Sequence, residues 1–407
     1  MKKLCLIIPV CFFCLGCVVA QPIIGGSVTD ANTSMPVPAA SVFISNSSAG
    51  IFTDNNGNFI LKRVPEGRFT LVVSCVGYET FVKDFQGAGA NLTIKIVLRR
   101  KATDLDEIVV TPMDKNGWIN WGSLFIEQFI GTSSYASACR IKNPKVLKFR
   151  LNQKDSILTV SADEPLIIEN KSLGYIMKYD LKEFTYYFYT NAVRYSGYAF
   201  FEEISSDEKT SEKYKENRMK VYAVSFIHFI RSLYNETSEA EGFKIIRRLN
   251  KTAVELKKAD KKVVQEYNGE GAFDTIYEIS NANTQIKIVA IQRNNEIKND
   301  MGVTDRSSLD NIFSRENGNN VLNFHDTLQV VYTGSKAPSE YIKYTEGTHS
   351  GNAILSEISL IKAAPVMIMS NGSFTPSAIA MTGFWAWWEK ISIMLPYDYT
   401  PASIARP

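Results

Sequence analysis

Residues 50–61 read GIFTDNNGNFIL, and this stretch decides how the first part of the chain is interpreted. Its centre, residues 54–57, has the composition of a tight turn, because Asn and Gly accept a positive φ at little cost. Apolar and β-branched residues stand on both sides of this turn, over 51–53 and 58–61. The stretch therefore predicts two strands joined as a hairpin.

Further strands surround this hairpin, separated by turn signals. The apolar patterns predict strands over residues 23–29, 37–44, 69–76 and 92–98. A second turn is predicted at residues 64–67, where Pro65 presets φ. Short strands at this spacing are typical of an all-β sandwich, which we predict over residues 21–102.

The order and spacing of five motifs resemble the carboxypeptidase regulatory-like domain, a transthyretin-like Greek-key β-sandwich. The motifs are GSVTD at 26–30, PAASVFI at 38–44, GIFTDNNGNF at 50–59, VPEG at 64–67 and SCVGY at 74–78. The resemblance implies an exported protein of the Bacteroidetes envelope, with the sandwich as an accessory at the front of the chain. Further along lie FIGTS at 129–133, CRIKNP at 139–144, LIIEN at 166–170 and GFWAWWEK at 383–390. On these motifs, residues 118–407 resemble the uncharacterised module that follows this sandwich in such proteins, and this second resemblance implies no activity.

The first twenty residues have the features of a signal peptide. Lys2 and Lys3 precede an apolar run over residues 4–15, and small residues precede a predicted cleavage between Ala20 and Gln21. The run is shorter than the roughly 20 apolar residues that span a bilayer. An alternative is a lipoprotein signal with acylation of Cys17. We expect the mature protein in the periplasm or at the outer-membrane periphery.

Composition limits the partners and the number of domains. Cleavage takes Lys plus Arg from 45 to 43 against 42 Asp plus Glu, so the net charge of about +1 gives no electrostatic basis for binding nucleic acid. The remaining chain exceeds the ~250–300 residues that one hydrophobic core usually serves, which predicts at least two domains. Cys75 and Cys139 remain after cleavage; one disulfide is an option, but buried free thiols are favoured.

A linker is predicted over residues 103–117. Its segment from Leu105 to Thr111, LDEIVVT, is similar to the one that follows the same domain in TonB-dependent outer-membrane transporters. That similarity implies strand addition to an energy-coupling partner. The alternative is a strand that docks on its own domain. Asn116 and Gly117 predict a hinge over residues 113–120.

The second module, residues 118–407, is predicted to be strand-rich. Apolar runs over 146–151 and 157–161 predict a hairpin, and further strands are predicted over 166–169, 174–182 and 195–203. Apolar residues at i, i+3, i+4 and i+7 predict a helix over 208–234. The fold class is therefore mainly β or α+β, with a Greek-key transthyretin-like sandwich followed by a larger α+β domain with one long amphipathic helix.

The sequence offers little support for catalysis, and we predict no catalytic residues, no metal and no cofactor. The three histidines, His228, His325 and His349, lie outside the zinc-peptidase patterns. No Gly-x-Ser-x-Gly segment indicates a serine hydrolase. An envelope hydrolase that uses His228 is the alternative.

Four side chains form the best polar constellation on the predicted helix. Arg218, Ser225, His228 and Arg231 lie on flanks away from the apolar stripe, and a guanidinium beside an imidazole suits an anion or carboxylate. The alternative is a helix face covered by a loop or by water.

Aromatic and hydroxyl residues suggest two surface features. Trp385 and Trp387 share one face of a predicted strand and form a candidate contact for a sugar or a partner protein, although core packing is the alternative. Ser156, Thr275 and Thr327 follow aspartates in short motifs that resemble O-glycosylation sites of exported Bacteroidetes proteins.

The chain is therefore interpreted as a non-catalytic envelope protein. Its sandwich acts as an adaptor, and its second module binds or scaffolds an envelope protein or a glycan. The hydrolase and the strand-addition partner of residues 105–111 remain as alternatives.

Overall fold

The computed structural model describes residues 22–65, 68–86, 91–101, 111–248, 277–282, 285–290, 312–316, 319–324, 327–345, 354–360, 365–374 and 379–401. The predicted signal peptide and residues 105–110 of the strand-addition segment lie outside these ranges. The protein is strand-rich, as predicted, with a sandwich at the front of the chain. In the part of the chain that the structure describes, no helix is long and apolar enough to cross a lipid bilayer.

The sandwich has two sheets. Its strands are β1 (Ile24–Asp30), β2 (Ser41–Ile44), β3 (Gly50–Phe52), β4 (Asn58–Leu61), β5 (Arg68–Ser74), β6 (Phe81–Gln86) and β7 (Leu92–Leu98). One sheet has the order β4-β1-β7 and the other β3-β2-β5-β6. Alternate side chains such as Val28, Val42 and Leu71 fill the core between the sheets.

The predicted turn at residues 54–57 is confirmed, but the hairpin is wrong. Gly57 has a φ of +72°, and the Asp54 carboxylate accepts hydrogen bonds from the backbone N–H groups of Asn56 and Asn58. However, β3 pairs with β2 while β4 pairs with β1. The turn carries the chain from one sheet to the other, which lets Phe59 and Leu61 of β4 enter the shared core.

The second module consists mainly of one twelve-stranded sheet. The strands are β8 (Cys139–Ile141), β9 (Leu147–Asn152), β10 (Ile157–Ala162), β11 (Leu166–Asn170), β12 (Tyr175–Tyr187), β13 (Ala192–Glu203), β14 (Phe243–Arg248), β15 (Tyr277–Ala282), β16 (Gln285–Ala290), β17 (Phe313–Glu316), β18 (Asn319–Leu322), β19 (Thr327–Tyr332), β20 (Ile354–Leu360), β21 (Val366–Ile368) and β22 (Ile379–Gly383). The main path of the sheet is β14-β19-β20-β22-β15-β16-β13-β12-β10-β9, and β11 joins β12 to β8. β17, β18 and β21 form a separate small sheet.

Five described α-helices accompany this sheet: α1 (Gly117–Phe129), α2 (Glu208–Ala223), α3 (Phe226–Tyr234), α4 (Ser339–Tyr344) and α5 (Phe384–Trp388). α1 packs its rings at Phe125 and Phe129 against Phe184 and Tyr195 of the two longest strands. The predicted hairpin of residues 146–161 is confirmed by the antiparallel pairing of β9 with β10.

The predicted hinge at residues 113–120 is wrong, because α1 begins at Gly117. Asp114 organises this start. Its carboxylate accepts hydrogen bonds from the backbone N–H of Asn116, from Asn120 Nδ2 and from Trp121 Nε1. Gly117 has a packing role here, since a Cβ atom would lie 2.6 Å from the Cβ of Phe149.

The predicted helix of residues 208–234 is helical over most of its length, but the chain divides it into α2 and α3 at Val224 and Ser225. Ser225 is extended (φ −79°, ψ 157°) and caps α3, its Oγ accepting the backbone N–H of His228. The Glu389 carboxylate accepts the next free donor, the Phe226 N–H, at 2.7 Å. Two free backbone donors of the new helix start are thus satisfied by side chains.

The sandwich is fixed to the second module by backbone hydrogen bonds. The loop between β2 and β3 reaches β13: Asn46 N–H donates to Ala199 O at 2.7 Å, and Phe201 N–H donates to Ser47 O at 3.1 Å. Asn46 O in turn accepts the N–H of Tyr397 at 2.7 Å. The loop therefore joins the sandwich to the large sheet and to the C-terminal segment at once.

Cys75 and Cys139 are both free thiols. Cys139 is buried, and burial raises the pKa of its thiol to about 12. Cys75 is half-buried, and the pKa of its thiol is also raised by burial.

Candidate functional site

A cleft of about 720 Å³ lies where the sandwich, α2 and the C-terminal segment meet. The sandwich contributes Ser48, and β12 and β13 contribute Tyr175 and Glu203. One face of α2, Pro396 and residues 398–401 form the remaining walls. We call this the junction cleft.

Arg218 of α2 forms part of the wall and is itself almost buried, with 8% of its surface exposed. Its Nε donates to Leu173 O at 2.7 Å, and its Nη1 contacts Glu203 Oε1 at 2.6 Å. The guanidinium carbon lies 3.8 Å from the centre of the Tyr175 ring, a close cation–π contact. Arg218 therefore supports the cleft through internal contacts.

The acidic side chains of the cleft differ in their partners. Glu212 pairs with Lys215 at 2.6 Å, and Glu216 pairs with Lys220 at 2.7 Å. The hydrogen bond from Lys220 lowers the pKa of Glu216. Asp398 instead accepts two hydrogen bonds from Ser48, from the backbone N–H at 2.9 Å and from Oγ at 2.5 Å.

Arg231 of α3 holds the segment that carries Asp398. Its Nη1 donates to Tyr399 O and its Nη2 to Tyr397 O, both at 2.9 Å, while Nε donates to Asn371 O at 3.0 Å. Three carbonyls thus share one guanidinium, and the backbone on both sides of Asp398 is fixed.

His228 lies in the core, with only 1% of its surface exposed. Its Nδ1 lies 2.8 Å from Ala223 O, and its Nε2 lies 2.7 Å from the Glu241 carboxylate. Rings of Tyr222 and Phe243 pack around it. His228 does not line the junction cleft, so a hydrolase site built on this imidazole has no opening to substrate there.

The four polar residues singled out from the sequence do not form the shared anion site that the long helix implied. Arg218 supports the cleft wall, Ser225 caps α3 and Arg231 anchors the C-terminal segment, while His228 binds Glu241 in the core. The break before α3 changes the direction in which the side chains of α3 point relative to those of α2. Phe243 of β14 and Tyr332 of β19 pack on His228, so they cover the flank that the predicted anion site required to be open.

The two tryptophans lie in a helix, α5, and not in the predicted strand. Both are buried, with 1% and 5% of their surfaces exposed. Trp385 Nε1 donates to Val224 O at 2.9 Å, and Trp387 Nε1 donates to Thr132 Oγ1 at 3.0 Å. Both indoles belong to the core, so neither offers the exposed contact surface predicted for it.

The predicted glycosylation sites have mixed positions. Ser156 is half-buried in the turn between β9 and β10, with a φ of +51°. Thr327 is half-buried at the start of β19, and Thr275 lies outside the described residues. O-glycosylation stays a prediction.

Two smaller cavities adjoin the core. One of about 60 Å³ is lined by Glu389 and Lys390, together with apolar residues from α3 and residues 391–397. Another, of about 210 Å³, lies between the sandwich and β12, where Lys178 Nζ is 4.6 Å from the centre of the Phe52 ring. Within the described ranges, no group of three or more His, Cys, Asp or Glu side chains is arranged to hold a metal ion.

The decisive residues of the junction cleft, Ser48, Tyr175 and Asp398, were missed by sequence reasoning. Ser48 and Asp398 are separated by 350 positions, and neither belongs to a motif that links the two. The tail around Asp398 has one visible signal, an acid between two tyrosines in PYDYT, but this pattern alone names no partner.

Residues 24–110 match the model of the CarboxypepD_reg-like domain family, so the predicted recognition of the sandwich is confirmed. No curated protein matches the chain.

Three similar solved structures illustrate the range of the matches. One is a type II cohesin–X-dockerin complex from Acetivibrio cellulolyticus, with 18% identity, 19% of this chain and 58% of that chain covered, and a TM-score of 0.18. The chain thus spans less than two thirds of that relative. The 5-hydroxyisourate hydrolase of Klebsiella pneumoniae has 14% identity, 20% and 93% covered, and a TM-score of 0.18. A protein of unknown function from Bacteroides fragilis, described as membrane-associated, has 11% identity, 89% and 98% covered, and a TM-score of 0.16.

Proposed function

We propose that this protein is a non-catalytic cell-envelope protein that binds an envelope protein or a glycan in the junction cleft. The observation that carries the proposal is the cleft itself, about 720 Å³ between the sandwich, α2 and the C-terminal segment. Ligand pockets of proteins commonly measure about 300–1,000 Å³ and often lie between domains.

The rigidity of the walls supports a binding role. Arg218 and Arg231 each bind backbone carbonyls with several donors, and Ser48 holds Asp398. A cleft whose side chains are already positioned loses little conformational entropy when a ligand enters.

The chemistry of the lining favours binding over catalysis. The described lining of the junction cleft includes neither histidine nor cysteine. A general acid or base must exchange a proton with its substrate, whereas three of the four lining carboxylates, Glu203, Glu212 and Glu216, are each engaged with a basic side chain. The fourth, Asp398, accepts hydrogen bonds from Ser48.

An envelope location rests on two observations. The family match at residues 24–110 is the kind of sandwich that the resemblance places in exported proteins. Residues 1–20 also have the charge and hydropathy pattern of an export signal. We therefore propose the periplasm or the outer-membrane periphery as its place.

The test is a binding screen with a variant that fills the cleft. Full-length protein is screened on a glycan array and on peptides tiled from envelope proteins. Thr400 is exposed on the cleft rim, so Thr400→Trp should lower the affinity for the bound ligand about tenfold or more by steric exclusion. Thr93→Trp, at an exposed position of β7 in the sandwich, is the matched control and should bind like the wild type. A ligand that binds Thr400→Trp as tightly as the wild type would place the binding site elsewhere.

A further inference from the structure

Asp398 stands apart from the other carboxylates of the junction cleft. Four carboxylates and two basic side chains line the cleft. Three of the carboxylates have a basic partner within 2.7 Å, whereas Asp398 makes no ion pair with any described residue. The lining thus has an excess of negative charge, and Asp398 is the group that lacks a cation.

The carboxylate of Asp398 is held in place before any ligand arrives. Ser48 donates one hydrogen bond to each of its oxygens. The backbone on either side is fixed by Arg231, which binds the carbonyls of Tyr397 and Tyr399. A carboxylate oxygen accepts about two hydrogen bonds, so each oxygen retains capacity for one more donor.

The aromatic rings of the cleft argue against a sugar as the ligand. Sugar recognition relies on open ring faces, on which the apolar face of a pyranose stacks. One face of Tyr175 is covered by the guanidinium of Arg218 at 3.8 Å. Tyr399 is half-buried, and its ring centre lies 5.9 Å from that of Tyr222. The cleft therefore offers its carboxylate more readily than a stacking platform.

We propose that the junction cleft binds a basic segment of a partner protein, with an arginine or lysine side chain of that segment on Asp398. This inference rests on the proposed function and names its ligand class. A guanidinium presents two parallel N–H donors, which match the two acceptor positions left on the Asp398 oxygens. Met219 and Pro396 supply apolar surface for the aliphatic stem of such a side chain.

The probe is a fluorophore-labelled tetra-arginine peptide, titrated with the full-length protein at low salt and followed by fluorescence anisotropy. Asp398→Asn removes the charge and keeps one of the two oxygens that accept hydrogen bonds from Ser48, so the affinity should fall about tenfold or more. Asp155→Asn removes the same charge from an exposed turn outside the cleft and should leave the affinity unchanged within about twofold. Circular dichroism and the thermal midpoint of each variant verify folding.

Two outcomes would overturn the inference. Equal losses in Asp398→Asn and Asp155→Asn would mean that the peptide senses only the net charge of the protein. No binding of tetra-arginine to the wild type would exclude a basic ligand. In that second case, the array screen separates the ligand class from the binding function. A neutral glycan or an acidic peptide that binds the wild type but not Thr400→Trp would leave the proposed binding function intact. A ligand that binds the wild type and Thr400→Trp equally would overturn both the binding function and the ligand class.

Discussion

Glu389 and Lys390 show how position in the fold alters the chemistry of single residues. Burial raises the pKa of the Glu389 carboxyl to about 7 and lowers the pKa of the Lys390 ammonium to about 7. Both line the same small cavity beneath α3. Nothing in the sequence of the tail indicated that this pair of charged residues enters the core.

The stability of the protein should therefore fall between pH 5 and pH 7. Because its pKa is raised, folded Glu389 retains a proton between about pH 4.5 and pH 7 that the unfolded chain has already lost. The stabilising contribution of protonated Glu389 to the free energy of unfolding is therefore full below about pH 4.5 and disappears towards pH 7. The protonation of Lys390 differs between the folded and unfolded chain only from about pH 7 to about pH 10.5. Its contribution to the free energy of unfolding is therefore constant between pH 5 and pH 7. Glu389→Gln should reduce the fall by on the order of 1–2 kcal/mol.

Urea denaturation at pH 5 and pH 7 measures this difference in the free energy of unfolding. Glu239→Gln, at an exposed glutamate, is the control and should retain the full fall. A Glu389→Gln variant whose pH dependence equals that of the wild type would show that Glu389 ionises normally in the folded protein.

Individual residues also mark the limit of what the sequence can predict about the site. Arg218 and Arg231 are recognisable as unusual on an amphipathic helix, and both prove to be structurally important. Apart from the Glu203 carboxylate that Arg218 contacts, their partners are backbone carbonyls from segments 44 to 168 positions away. No pattern of side chains records such carbonyls, so the sequence indicated an external anion where the fold supplies internal acceptors.

At the scale of elements, the break between α2 and α3 is the main difference from expectation. The apolar spacing continues through residues 224 and 225, so periodicity alone predicts one helix. Ser225 ends that helix because its hydroxyl donates to Tyr222 O and accepts the N–H of His228. A serine in mid-helix and a serine at an N-cap are indistinguishable by hydropathy, although Ser is a favoured capping residue.

Ser225→Ala should therefore destabilise the protein by about 1 kcal/mol, the typical cost of losing an N-cap side chain. The midpoint of urea unfolding, monitored by circular dichroism, reports the change. Ser206→Ala, at an exposed position before α2, is the matched control and should stay within about 0.5 kcal/mol of the wild type. Equal effects of the two substitutions would mean that the hydroxyl of Ser225 does not cap α3.

Strand prediction succeeded where both alternation and turn chemistry were present. β1, β7, β9 and β10 were predicted within one or two residues. The pairing of β3 and β4 was not, since a turn sequence specifies local φ values but not which sheet the next strand joins. In an antiparallel sandwich, the sheet that a strand joins depends on where distant residues of the core lie.

At the scale of the whole molecule, the sandwich is a built-in part of the fold rather than a tethered adaptor. Gly50 packs so closely on Phe200 of β13 that a Cβ atom would lie 2.3 Å from the ring. Phe43 and Val72 of the sandwich share a small buried cluster with Tyr198 and Phe200. The sequence motifs identified the sandwich itself, but this second surface carried no motif and could not be predicted.

The integration explains why the junction cleft exists. Without the loop of residues 45–49, Asp398 would lose both Ser48 donors and Tyr397 would lose its acceptor on Asn46. The sandwich therefore supplies one wall of the cleft and positions the C-terminal segment that forms another.

Amide hydrogen exchange in the full-length, unliganded protein tests most directly whether the sandwich is fixed to the second module. The N–H groups of Asn46, Phe201 and Tyr397 each donate to a backbone carbonyl on the other side of the junction. Their exchange should be slowed to rates near that of Val160 in the core strand β10, because they open only when the two parts separate. If these three amides exchange as fast as that of the exposed turn residue Asn55, the sandwich is not fixed to the second module and the junction cleft is not a built site.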